Sequence, residues 1–252
     1  MKILVELFLL IGLLGVDAWA VPTPPAPIPG GTQIGGSLRA FVDRDSLSYF
    51  AEAAAVNETG GRELKDYSLG VYYHVSPAFK FGTVFSRDFG LRHNEDWTPT
   101  NGIWSWNDSN GRGETLVALD ATAKAVVDFL PGEDWVAEFK TRYIYNSFND
   151  NRTLMLRPGL TYFYLREGSL AASFFIRFEY DFPLNYGAEA VNEKWIYLGA
   201  LYHLCENVDL GPTITEGWQT WNRPAAYAIK GGAPYSITTQ TSTYGLSGVL
   251  HF

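Results

Sequence analysis

The sequence predicts an all-β chain, wound as a transmembrane antiparallel up-and-down barrel of about ten strands, with about twelve as the alternative. Three observations carry this expectation. Long stretches alternate apolar and polar residues, the connections between them are short and long by turns, and aromatic residues gather near the ends of the stretches.

The alternation is plain in "ETLVALDATAKAVVD". Thr115, Val117, Leu119, Ala121, Ala123, Ala125 and Val127 share one parity; Glu114, Asp120, Thr122, Lys124 and Asp128 share the other. In "WVAEFKTRYIY", Trp135, Ala137, Phe139, Tyr143 and Tyr145 oppose Glu138, Lys140 and Arg142. In "LAASFFIRFEYDF", Leu170 through Phe182 oppose Ser173, Arg177, Glu179 and Asp181. Successive strand residues point to opposite faces, so each segment has one apolar and one charged face. The runs are about 11 to 15 residues long, against roughly 5 to 6 for strands of water-soluble domains and roughly 9 to 11 across a bilayer core. A soluble β-sandwich or lectin is the rival fold.

Ten segments are expected: 37–56, 66–75, 79–88, 114–129, 135–146, 153–166, 169–182, 194–205, 208–221 and 241–252. In the first, the apolar parity slips at "DRDS", which a β-bulge or a separate short strand would accommodate. Short connections fall at Ser76-Pro77, "PGED", "REGS" and "ENVD". Longer ones cover 57–65, 89–113, 147–152, 183–193 and 222–240. Regular alternation of this kind predicts an even strand number with both termini at the short-turn end. The longest loop, 89–113, carries three tryptophans and either folds inward or projects outward. Trp135, Phe79, Phe81, Tyr164 and Phe252 are expected in one aromatic girdle, and Tyr145, Tyr180, Phe182 and Tyr244 in the other.

Residues 1–20 combine Lys2, a short apolar run and Ala18-Trp19-Ala20, the pattern of a signal peptide cleaved near Ala20. Residues 21–36 begin with five prolines in nine residues and read as an extended periplasmic leader before a barrel domain at 37–252. The net charge is −8; loss of Lys2, Glu6 and Asp17 removes one basic and two acidic residues and leaves −7. That argues against nucleic acid as a partner. Cys205 is the single cysteine, so no internal disulfide forms, and it is expected to be a small buried or lumen-facing residue.

The final strand, "YGLSGVLHF", places large apolar residues at Tyr244, Leu246, Leu250 and Phe252. With the leader and the amphipathic segments, it resembles the porin-like outer-membrane β-barrels of Gram-negative bacteria. In those proteins such a strand, ending in an aromatic, is read by the barrel-assembly machinery. The glycine of that signal is displaced here, at Gly248. The resemblance implies cell outer membrane localisation, with outer-membrane lipid, the assembly machinery and small solutes as partners.

The expected pore-lining residues are Arg39, Lys80, Asp120, Lys124, Glu138, Lys140, Arg142, Arg157, Arg177, Glu179 and Asp181, with Glu52, Glu114 and Asp128 on the same faces. Lys140, Arg142, Arg157 and Arg177 fall on three consecutive segments as a basic stripe. They predict passive transport of small hydrophilic solutes, anionic ones included, through a narrow charged lumen. The alternative is a plugged structural or adhesion barrel, with these charges paired across strands. A rim hydrolase using His93, beside Asp88, Glu95 and Asp96, is a third reading, but no catalytic set is visible, and no enzyme activity is expected. His74 and His203 point inward near the short-turn end by parity. No metal-ligand spacing and no cofactor motif occur, so none is expected.

Overall fold

The computed structural model describes residues 22–26, 30–58, 63–90, 93–100, 103–108, 113–130, 134–186 and 191–252. The proposed signal peptide, 1–20, lies outside them. The strands are β1 (Gly31–Arg44), β2 (Leu47–Glu58), β3 (Glu63–Ser76), β4 (Phe79–Phe89), β5 (His93–Thr100), β6 (Ile103–Asp108), β7 (Glu114–Val126), β8 (Trp135–Asn146), β9 (Arg152–Arg166), β10 (Ser169–Pro183), β11 (Glu193–Cys205), β12 (Val208–Asn222) and β13 (Ser236–His251). One short helix, α1 (Ala225–Ile229), precedes β13.

Among the described residues, eleven strands close into a barrel in the order β1, β13, β12, β11, β10, β9, β8, β7, β4, β3, β2, while β5 and β6 form a separate hairpin. The closed all-β barrel is as expected, and the count is one above ten. The extra strand comes from the parity slip at "DRDS". It is not a bulge but a hairpin turn between two separate long strands, with Arg44 facing Leu47 and Asp45 at a φ of 51°. Aspartate tolerates that left-handed conformation better than most residues. The corresponding Glu167-Gly168 turn has φ values of 54° and 80°, the paired positive angles that suit a two-residue hairpin. Residues 31–36, taken as leader, form the first half of β1.

An odd number of up-and-down strands brings the first and last into the same direction. β1 therefore pairs with β13 in parallel, while every other neighbouring pair in the wall is antiparallel. The expectation of an even count with both termini at one end is overturned: β1 starts at the long-loop end and β13 finishes at the short-turn end. At this seam Gly35 faces Gly245, the Ser37 and Ser247 hydroxyls lie 3.0 Å apart, and Thr243 Oγ1 donates to Gln33 Oε1 at 2.9 Å. Phe252 continues it, donating its amide to the Phe41 carbonyl at 2.9 Å.

The pleat sorts most side chains by polarity. On the outer face Leu69, Phe85, Leu119 and Leu246 are 57–65 % exposed. On the inner face of the same sheet Ser68, Asp120, Glu179 and Thr241 are buried. Large inner side chains lie against glycines of the next strand: Tyr72 faces Gly82, Phe175 faces Gly199, and Trp195 faces Gly217. A Cβ at any of these glycines would overlap the facing ring. Glycine permits that close approach and lets the rings lie along the wall.

The seam predicts a cross-link. In a Cys205→Ser background, Ser37→Cys with Ser247→Cys will form a disulfide on mild oxidation, found by mass spectrometry of linked peptides. Absence of the link in folded protein would place a different strand beside β13.

Candidate functional site: a charged lumen with an aromatic cap

Asp120 centres the inner face. It sits on β7 opposite Arg142 of β8, whose Nε and Nη2 grip the two carboxylate oxygens at 2.6 and 2.8 Å. Lys140 Nζ lies 2.7 Å from Oδ2, and Tyr72 Oη donates to the same oxygen at 2.8 Å. Tyr72 reaches it across a whole strand because Gly82, between them in register, has no side chain. The Asp120 side chain is fully buried, and four donor atoms satisfy it. Bidentate pairing of this kind fixes geometry as well as charge.

A second network lies three strands on. Arg157 of β9 pairs with Glu179 of β10, Nε to Oε2 at 2.5 Å, and Tyr197 of β11 donates to Glu179 Oε1 at 3.0 Å. Arg39 pairs with Glu52 at 2.8 Å, and Lys124 with Glu138 at 3.5 Å. Arg177 differs. Its guanidinium stacks over the Phe175 ring at 4.3 Å, and no ion pair holds it among the described residues.

Register also separates the charges along the barrel axis. Toward the long-loop end Asp66 faces Asp88, Asp88 faces Glu114, and Asp181 faces Glu193. Glu114 and Asp181 of this acidic collar were expected on the inner face, whereas Asp66, Asp88 and Glu193 were missed there, although the same parity marks them. Below it run Lys140, Arg142, Arg157 and Arg177; lower still are Lys80, Lys124 and His74, around a small pocket at the short-turn end. The expected basic stripe is therefore present on β8, β9 and β10, with three of its four cations paired to two carboxylates, Lys140 and Arg142 sharing Asp120. Tyr72 and Tyr197 were also missed as donors, since adjacent tyrosines at 72 and 73 leave the parity of β3 open.

Other expected residues fall elsewhere. Asp128 lies past the end of β7, outside the ladder, and Cys205 is exposed, not buried. His203 points inward as expected, with Nδ1 2.7 Å from Asp209 Oδ1. The side chains of His93, Glu95 and Asp96 lie outside what the structure describes. Ser48 Oγ contacts His74 Nε2 at 2.6 Å, but its carboxylate partner, Asp43, holds the serine instead of the far side of the imidazole. A triad needs the opposite arrangement and an accessible hydroxyl, whereas Ser48 is buried.

The long-loop end is covered on one side. The described part of loop 89–113 folds inward: Trp97 and Trp104 of the β5–β6 hairpin bury themselves with Tyr227 of α1 and Ile237 of β13. Trp97 and Trp104 each meet the Tyr227 ring edge-on at 5.1 Å. Trp106 packs on Trp221 at 5.7 Å, and Trp221 faces Ile237 on the inner side of β12 and β13. Leader residues join this cluster. Tyr227 Oη donates to the Pro22 carbonyl at 2.8 Å and Trp106 Nε1 to the Ala26 carbonyl at 3.0 Å.

No protein-family model matches the chain, and no curated protein matches it.

Charge removal at the centre will be costly. Asp120→Asn leaves Lys140 and Arg142 without their carboxylate and will lower unfolding stability by about 3–5 kcal/mol. Glu52→Gln, at a more exposed pair, will cost about 1 kcal/mol or less. The urea midpoint of refolded protein measures both, and equal costs would refute the central role of Asp120.

Proposed function

We propose that this chain is an outer-membrane β-barrel of a Gram-negative bacterium and acts as a narrow porin-like channel for small hydrophilic solutes. The observation that carries this reading is the inside-out sorting of a closed sheet, with aliphatic and aromatic side chains bare on the outer face and carboxylates buried on the inner one. In water such an outer face would drive aggregation; in lipid it is the matching surface, and closure leaves no unpaired backbone edge. The final strand turns Tyr244, Leu246 and Phe252 outward, which suits recognition by the barrel-assembly machinery. Arg177, the central-belt cation with no carboxylate within ion-pair distance among the described residues, and the positive charge that Lys140 and Arg142 carry in excess of Asp120 favour anions at their level.

A second reading, a plugged structural barrel, is favoured by the aromatic cap and by the pairing of the other central cations. Planar-bilayer recordings separate the two. The channel reading expects discrete conductance steps, with Arg177→Ser moving the reversal potential toward cation preference. Silence at every voltage, with the protein shown to be folded by heat-modifiable gel migration, would leave the plugged barrel. Protein that stays monomeric in plain buffer would remove the membrane assignment altogether.

A further inference from the structure

We infer that the aromatic cluster at the long-loop end is a binding groove for extended proline-rich peptide, that residues 22–26 of this chain are its resident ligand, and that this ligand latches the β5–β6 hairpin over the lumen. Only the last clause rests on the channel reading.

Pro22, Pro24 and Pro25 each have φ fixed near −65°, and together they favour the polyproline II conformation. That helix makes no internal hydrogen bonds, so its carbonyls must find outside donors. Proteins that read such segments supply a lining of aromatic rings and side-chain donors. The cluster supplies both. Two of its donors, Tyr227 Oη and Trp106 Nε1, take the carbonyls of Pro22 and Ala26. These carbonyls are four residues apart, on the order of 12 Å along a polyproline II rise. Pro25, between them, is buried. Both donor rings pack edge-on against Trp97, at 5.1 and 5.8 Å. The Trp97 indole N–H is itself buried with no acceptor among the described residues. It is a third donor of the type a polyproline carbonyl satisfies. Residues 21–36 carry no charge, which suits a groove of rings and neutral donors.

The groove is built to hold this shape. Arg223 Nη1 donates to the Gly232 carbonyl at 2.6 Å, closing the loop that carries α1. Gly232 lies against the Tyr227 ring so closely that a Cβ there would overlap it, which keeps the tyrosine in place. The leader is tethered directly to β1, so its effective concentration at the groove is on the order of millimolar. A weak intrinsic affinity is then enough to keep the groove filled and the hairpin down, and a peptide added in trans must compete with it.

The test uses the full mature chain, refolded in detergent, and a fluorescent peptide of sequence VPTPPAPIP. Replacing Pro22, Pro24 and Pro25 together by Ser vacates the groove, so the peptide will bind this variant about tenfold or more tighter than the unaltered protein, read by anisotropy. Adding Trp106→Phe and Tyr227→Phe to that variant will weaken binding about tenfold, the loss of two neutral hydrogen bonds. A second measurement leaves the groove untouched: a dye on Thr23→Cys, in the Cys205→Ser background, is quenched by the neighbouring tryptophans and brightens when excess peptide displaces the leader. A Gly/Ser peptide of equal length will not brighten it. Equal affinity of altered and unaltered protein, or dequenching by the Gly/Ser peptide, overturns the groove. Peptide binding together with larger conductance in the leader variant supports the latch. Peptide binding with no conductance in either form keeps the groove and removes the channel.

Discussion

Closure of the sheet is the constraint on which everything else depends. A strand offers a row of N–H and C=O groups on each side, and an unpaired row is costly wherever water is absent. With β1 joined to β13 the wall has no free edge. Closure also divides the side chains into an inner and an outer set, and a one-residue slip at any pairing would exchange them. Asp120 would then face outward and Leu119 inward. The seam must therefore satisfy register as well as direction, and small residues on both strands, Gly35 facing Gly245 and Ser37 facing Ser247, allow the parallel pair to meet.

Inside the wall the two halves differ. From β3 round to β11, side chains are long and charged, and two networks tie strands together: Tyr72, Asp120, Lys140 and Arg142 join β3, β7 and β8, and Arg157, Glu179 and Tyr197 join β9, β10 and β11. Buried ion pairs add little net stability over apolar packing, but breaking one is severe, so they penalise every wrong register. From β12 through β13 to β1 the inner face is richer in Thr, Ser and Gly, as at Thr213, Thr215, Gly245 and Ser37, with Arg39 and Asp209 among its charged residues toward the short-turn end. This half has room at its long-loop end, where Trp221 and Ile237 receive the hairpin. The cap sits where no charged network competes for the space.

Much of this was legible in the chain. Period-two alternation gave the wall and nearly all its strands, and most inner charges followed from parity alone. Failures have local causes. The first hairpin turn, Arg44-Asp45-Ser46-Leu47, contains neither Gly nor Pro, so only a parity slip marked it, and its missing boundary changed both the strand count and the position of the N-terminal end. Tyr72 was hidden because its neighbour is also a tyrosine. The cap was illegible for another reason: Trp97, Trp106, Tyr227 and Pro22 are far apart in sequence and meet only through tertiary packing. Polar residues around the tryptophans of loop 89–113 left an inward and an outward fold both open.

The axial order of charge decides what the lumen can do. An acidic collar of Asp66, Asp88, Glu114, Asp181 and Glu193 stands at the long-loop end, with a basic belt below it. In a narrow, low-dielectric passage each level acts on a solute over only a few ångströms, because opposite charges nearby cancel at longer range. A cation is drawn to the collar and repelled by the belt; an anion meets the reverse. Neither sign has an unopposed path, so strong single-sign selectivity does not follow from the charge count. In the channel reading, selectivity rests on the charges that are not cancelled within their own level. Asp120 is shared by Lys140 and Arg142, which leaves one positive charge in excess there, Glu179 balances Arg157, and Arg177 stacks on Phe175 with no carboxylate within ion-pair distance among the described residues, Glu138 acting on it from farther off. An aromatic ring offers a quadrupole, not a counter-charge. The field of this guanidinium, with the positive charge left in excess beside Asp120, therefore reaches into the lumen.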